Sequence, residues 1–134
     1  MIVECIVWGD FMQKRVVVAG CRNYENYSEA KRYIDYCISA ISKKYELIFL
    51  SGGCRGADSL GERYASENGY KLEIYQADWE RYGKSAGPRR NKEMAEKADY
   101  VICFWDGKSR GTKLMIEFAK SMNKPIKIKM IKAE

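Results

Sequence analysis

The chain has no histidine, only two prolines and no cysteine pair of the C-x-x-C kind. Without imidazole, the side chain most used for proton transfer near neutral pH is missing, and any acid–base chemistry falls to Asp, Glu, Tyr, Cys or Lys. The five cysteines, at positions 5, 21, 37, 54 and 103, are odd in number and widely spread, which excludes a disulfide framework and a zinc site. No metal site and no cofactor are expected; a metal carried in by a phosphate ligand is a separate question. No apolar run approaches the roughly 20 residues that span a bilayer, so no membrane role is expected. Met1 to Cys5 lack the basic and long apolar segments of a secretory leader, and a cytoplasmic location with reduced thiols is expected. Repeats, low-complexity tracts and Pro- or Ser-rich linkers are also missing. Residues 1–134 are therefore read as a single domain with its core over 15–131.

What the chain does have is a globular balance, 46% hydrophobic and 31% charged over 134 residues, enough to bury a core. Its net charge of +6 points to an anionic partner. The lysines are scattered, however, and include a solvated group at Lys124, Lys127, Lys129 and Lys132.

Short apolar runs alternate with helical patterns. Arg15–Gly20 is β-branched and nearly all apolar, as in a parallel strand covered on both faces. A helix is predicted from Ser28, its N-cap, to about Lys44, and strand Leu47–Leu50 follows. Next come a helix over Ser59–Asn68 closed by Gly69, strand Lys71–Gln76, and a long loop from Ala77 to Gly87. A helix over Pro88–Lys97, strand Tyr100–Trp105, a helix opening at Arg110–Thr112 and strand Ile126–Ile131 complete the series. This repetition predicts an α/β fold, a Rossmann-like three-layer sandwich with about five parallel strands in the order 3-2-1-4-5. Residues 1–14 fall outside the repeat. Ile2–Trp8 reads as an extra strand at a sheet edge or paired with another chain, which makes a homo-oligomer an expectation.

In such a sheet the ligand lies outside the carboxyl ends of the strands. That rule selects Gly20–Asn23, Ser51–Asp58, Ala77–Asn91 and Asp106–Thr112, and all four stretches carry glycine and arginine. Arg22, Arg55, Arg89, Arg90 and Arg110 fall there, and the planar guanidinium suits phosphate. In the second stretch, Gly52, Gly53 and Gly56 open the backbone so that N–H groups, with those of Ala57 and the following helix, can converge on phosphate. Asp58 at the helix start is an N-cap, a functional carboxylate, or both. Asp78 and Trp79 offer a carboxylate beside an aromatic plane, or a lid on the core. Gly87 and Asn91 accompany Arg89 and Arg90, while Ser109, Arg110, Gly111 and Thr112 make a second anion cradle. Cys21 and Cys54 sit in glycine-flanked loops, where a helix N-terminus can acidify a thiol, though a small loop residue is the plainer reading.

Taken in order, five motifs carry a resemblance: Val18–Arg22, Gly52–Asp58, Ala77–Trp79, Gly83 with Ala86–Asn91 and Met94, and Ser109–Thr112. Together they resemble the SLOG superfamily, the Rossmann-like group named for the SMF/DprA and LOG proteins, in its small YspA-like, or YAcAr, branch. The resemblance spans Arg15 to about Ile131 and implies a site for nucleotides or nucleotide-derived ligands with glycine-rich loops around phosphate. Cys21 replaces the usual serine of that group. The PGGxGTxxE motif of the LOG enzymes is reduced to Gly111–Thr112, with Met115 where the glutamate would stand. Glu117 is two residues late, about 200° around the helix. The leading expectation is thus a module that senses, carries or sequesters a nucleotide-derived small molecule. The alternative is a hydrolase of an N-glycosidic or phosphoester bond with Asp58 or Asp78 as catalytic carboxylates. A third reading, single-stranded nucleic acid held by basic residues and the tyrosines at 24, 27, 33 and 36, is less favoured than packing of those rings on the first helix.

Overall fold

Strand β1, Gln13–Gly20, occupies the centre of the sheet and is covered on both faces, which is why its sequence is an almost unbroken apolar run. In the computed structural model, which describes residues 12–132, it pairs in parallel with β2 (Glu46–Ser51) on one side and β4 (Tyr100–Trp105) on the other. Strands β3 (Lys71–Ile74) and β5 (Ile126–Met130) form the edges, giving the expected order β3-β2-β1-β4-β5 with every pair parallel. The period of two along the strands divides the core. Val16, Val18, Phe49 and Phe104 face helices α1 (Tyr27–Ile38) and α2 (Ala57–Glu67). Val17, Ala19, Leu50 and Cys103 face α4 (Ala86–Lys97) and α5 (Arg110–Ser121). This is the three-layer α/β sandwich that the alternating pattern predicts.

Glycine sets how near one helix lies to the sheet. A Cβ at Gly61 would come within 2.7 Å of the Val18 Cβ, so α2 rests on β1 at a distance that only glycine permits.

Several boundaries differ from the sequence reading. The N-cap of α1 is Asn26, not Ser28: the Asn26 carboxamide oxygen accepts from the Glu29 amide at 3.1 Å and from the Ser28 hydroxyl at 3.2 Å. The helix stops at Ile38 rather than near Lys44, since the Ile41 and Ser42 amides both turn back to the Ile38 carbonyl. Helix α2 begins two residues earlier than expected, so Asp58 lies inside its first turn and Gly56 is the cap. Strand β3 ends at Ile74, and the expected long loop instead holds α3 (Trp79–Tyr82), a 3-10 turn over Gly83–Ser85 and the start of α4. Pro88 sits in the first turn of α4, where its missing N–H costs no bond. The extra strand predicted over Ile2–Trp8 lies outside the described residues. No helix among the described residues is long and apolar enough to cross a membrane.

The reassigned cap gives a direct test. Replacing Asn26 by Ala should lower stability by about 1 kcal/mol, while Ser28→Ala should stay within about 0.5 kcal/mol, as read from urea unfolding midpoints.

Candidate functional site

Parallel strands deliver their following loops to one end of the sheet, and here those loops enclose a cleft of about 370 Å³. The turn after β1 contributes Gly20, Cys21, Arg22 and Asn23, and the turn after β2 contributes Cys54, Arg55 and, from the first turn of α2, Asp58. Arg90 and Asn91 enter from α4, and Asp106, Ser109, Gly111 and Thr112 from the turn between β4 and α5. Met94 and Met115 supply apolar wall.

In the glycine-rich turn after β2, three amides are committed within the protein. The Gly53 amide donates to Ser51 Oγ at 3.1 Å, the Cys54 amide to Asp58 Oδ2 at 3.2 Å, and the Ala57 amide to the Cys21 carbonyl at 3.1 Å. Its glycines serve close approach instead. A Cβ at Gly52 would lie 2.9 Å from Asp58 Oδ2 and 3.1 Å from Arg90 Cζ. One at Gly56, where φ is +78°, would collide with the carbonyls of Cys21 and Arg22.

Around Gly52 lie two buried charges. Asp58 is 7% exposed, and burial, reinforced by Glu62, pushes its carboxyl up to about 6 even though the Cys54 amide and Arg90 favour the ionised form. Arg90 is 9% exposed; its Nη1 donates to the Gly52 carbonyl at 2.6 Å and its Nε to Asn91 Oδ1 at 2.9 Å. Arg22 and Arg55 are exposed on the rim, with Arg55 Nη2 at 3.5 Å from Asn23 Oδ1.

The opposite wall is organised by Asp106, whose Oδ1 accepts from the Lys108 and Ser109 amides at 2.9 and 2.8 Å. Those amide bonds hold its carboxyl below the usual carboxylate range. Trp105 Nε1 donates to the Ser109 carbonyl at 3.1 Å, Ser109 Oγ and Thr112 Oγ1 lie 3.2 Å apart, and Asn91 Nδ2 reaches the Gly111 carbonyl at 3.4 Å. A Cβ at Gly111 would meet nothing within 4 Å, so the first turn of α5 is open to the cleft. Burial pushes the Cys21 thiol up, which makes it a packed residue rather than an acidified one.

Other expected site residues lie elsewhere. Gly52, Gly53, Gly56 and Ala57 are not among the residues that line the cleft; Gly53 is exposed and the other three are buried. Asp78 is exposed, caps α3 by accepting from the Arg81 amide at 3.1 Å, and is not among the residues that line the cleft. Trp79 is 53% exposed and lies against Gly87. Arg89 bonds Ser85 Oγ at 3.1 Å and covers the Tyr82 ring, and Arg110 points to solvent outside the lining. Conversely, Asp106 and Asn23 line the cleft without having been singled out from the sequence. The Asp-Gly-x-Ser spacing at 106–109, an Asx-turn pattern, was a signal for the first. Of the tyrosine cluster, Tyr24 and Tyr33 pack on Phe104 and Tyr27 stacks with Arg63, leaving Tyr36 as the exposed ring. Among the described residues, no group of three or more Cys, Asp or Glu is placed to hold a metal ion.

A parallel sheet in this order, with its cleft over the carboxyl end of β1 between β2 and β4, defines a Rossmann-like α/β domain. The chain belongs to the YspA, cpYpsA-related SLOG family (YAcAr), which it matches over residues 14–82. It is 38% identical over 88 residues to the gene 61 protein of Mycobacterium phage D29, covering 61% of this chain and 70% of that one. In fold it resembles DNA processing protein A (DprA) from Streptococcus pneumoniae, with TM-score 0.66 at 18% identity over 92% of this chain. It spans 51% of that protein, about half its length. The protein TM1055 is similar as well, with TM-score 0.61 and 24% identity over 86% of this chain and 72% of its own.

The Asp58 environment sets a pH dependence. Its folded-state pKa, near 6 against 3.8 in the open chain, means that the acid favours folding when protonated. That contribution is full below about pH 4 and is lost as pH rises through 6, amounting to roughly 2–3 kcal/mol. Urea unfolding at pH 5 and 7.5 should show the loss in the wild-type chain, and Asp58→Asn should remove the step. The chain has no histidine to mimic it.

Proposed function

We propose that the protein binds a nucleotide or nucleotide-derived phosphate ligand in the cleft at the carboxyl ends of β1, β2 and β4, and so senses, carries or sequesters it. The observation that carries this reading is the pairing of the exposed Arg22 and Arg55 with the open first turn of α5 across one cleft. Guanidinium groups and unpaired helix N-terminal amides favour the same ligand group, a phosphate. The family resemblance supports the same ligand class. The phosphate is assigned to the Ser109–Thr112 side rather than to the glycine-rich turn, where Asp58 supplies the negative charge and three amides are already bonded. The four described cysteines are free thiols, in keeping with a reducing cytoplasm.

An enzymatic reading is favoured by one feature: a buried carboxyl with a pKa near 6, facing the cleft, is poised to exchange a proton near neutral pH. It would make the protein a hydrolase of an N-glycosidic or phosphoester bond, with Asp58 alone in that role.

Calorimetry with a nucleotide panel, followed by mass spectrometry of the ligands, separates the two. The binding reading expects stoichiometric complexes with intact ligand, and Arg22→Ala should weaken the affinity by roughly tenfold or more, the size of one charge-assisted contact. Product formation abolished by Asp58→Asn would establish the hydrolase instead, and no binding by any nucleotide would sink both readings.

A further inference from the structure

The two edge strands of the sheet each have one side without a neighbouring strand among the described residues, and they differ in charge. On β5, Lys127 and Lys129 stand in register with Ile102 and Phe104 and so face α1, where they lie over the Tyr36 and Tyr33 rings at 5.0 and 5.8 Å. Neither lysine is in an ion pair among the described residues. Two copies of that edge laid together would set lysine against lysine, which is how many proteins keep an edge strand from pairing.

Strand β3 has no such defence. Its two charges are of opposite sign and each is paired within the chain, Lys71 with Glu46 at 3.0 Å and Glu73 with Arg15 at 3.1 Å. On the other face, Leu72 stands in register with Phe49 on the α2 side and Ile74 follows two residues on, and these side chains are 37% and 47% exposed. The Tyr75 amide donates to the Ser51 carbonyl at 2.8 Å. Backbone groups alternate in direction along a strand, so the N–H and C=O of Leu72 and Ile74 point away from β2, to the open side.

We propose that a second copy of this chain pairs with β3 in antiparallel fashion about a two-fold axis at Leu72, joining two five-stranded sheets into one. Charge selects that register. Side chains directly opposite in an antiparallel pair share a face, so the two registers that use most of the strand set Leu72 against either Leu72 or Ile74 of the second copy. Setting it against Ile74 would also bring Glu73 against Glu73. Setting Leu72 against Leu72 places Lys71 opposite Glu73 on both sides of the axis, and Ile74 opposite Tyr70, whose ring packs on Phe49 at 5.3 Å. Opposite charges across a strand pair are favourable and like charges are not, so the axis falls at Leu72. The edge is then self-complementary, apolar on one face and charge-matched on the other, as a two-fold interface requires. The strands of the two copies run in opposite directions, so the two clefts open at opposite ends of the joined sheet and the pairing is independent of what they hold.

The test is sedimentation velocity of the full chain from micromolar to millimolar concentration, for the wild type, Leu72→Lys, Lys71→Glu and, at the other edge, Lys127→Glu. All three positions are exposed in the single chain, and circular dichroism checks that each variant folds. The wild type should form a dimer whose fraction grows with concentration. Leu72→Lys and Lys71→Glu should each raise its dissociation constant at least tenfold, while Lys127→Glu should leave it within threefold. At the axis the two Cα atoms would lie about 5.5 Å apart, within the span of a disulfide. Leu72→Cys, oxidised at high concentration, should therefore give a covalent dimer bridged at that position, as located by mass spectrometry of its peptides; this arm carries the result if a charged variant does not fold. A wild-type chain that stays monomeric throughout overturns the inference. So does a dimer that Leu72→Lys and Lys71→Glu both leave intact, which would assign the contact to another surface.

Discussion

Arg90 and Asp58 close on Gly52 from two sides, and much of the site follows from that contact. A guanidinium cannot shed its charge when buried, so it must be hydrogen-bonded, and the Gly52 carbonyl at 2.6 Å is its main partner. The bond ties α4 to the turn after β2, two segments 38 residues apart in the chain. Any side chain at position 52 would press on both charged groups, so glycine is a steric requirement there and not a device for flexibility. The same packing takes Asp58 out of water. Its carboxyl keeps a proton to about pH 6 because desolvation outweighs the nearby guanidinium.

The resulting charge arrangement is unlike a simple anion hole. Arg22 and Arg55 sit exposed on the rim, while the buried Arg90 guanidinium and the Asp58 acid sit together on the floor. Helix α2, which starts at the glycine-rich turn, places Asp58 in its own first turn and so offsets its dipole with its own carboxylate. Helix α5 has no acidic residue in its first turn. Of the two helices that follow β2 and β4, the strands flanking β1, α5 is therefore the one without a carboxylate of its own to oppose an anion.

Strand order and layering were legible in the sequence because each buried strand is a short apolar run and each intervening helix has one apolar face. Helix ends were less legible: Asn26 and Ser28 are both good caps, and only the backbone path decides which side chain reaches the Glu29 amide. The segment over 77–87 carries Asp, Gly and Ser, residues of turns, yet Asp78 starts a helical turn there. In the site, each of the four strand-end stretches gives residues to the cleft, the stretch over 77–91 through Arg90 and Asn91 of α4. Which amides of the glycine-rich turn are committed within the protein was not legible. Sequence shows where Cβ atoms are missing but not where the N–H groups point, and here they point to Ser51, Asp58 and Cys21. Nor does it distinguish Arg90, held in the interior by two acceptors, from Arg89 one residue away, which turns outward to Ser85 and Tyr82.

Met115 bears on what the cleft can do. It is 1% exposed and lines the cleft at the position where the resembling LOG enzymes carry a glutamate, whereas Glu117 is exposed on another face of α5. A thioether adds no charge to stabilise a developing cation and no base to activate water; it adds apolar surface close to the acid. With Met94 it lowers the polarity of the wall, and burial of this kind is what raises the Asp58 pKa to about 6. The cleft wall carries two carboxyls, Asp58 and Asp106, and the two amide bonds to Asp106 hold it in the ionised form, which leaves Asp58 as the carboxyl able to carry a proton near pH 6.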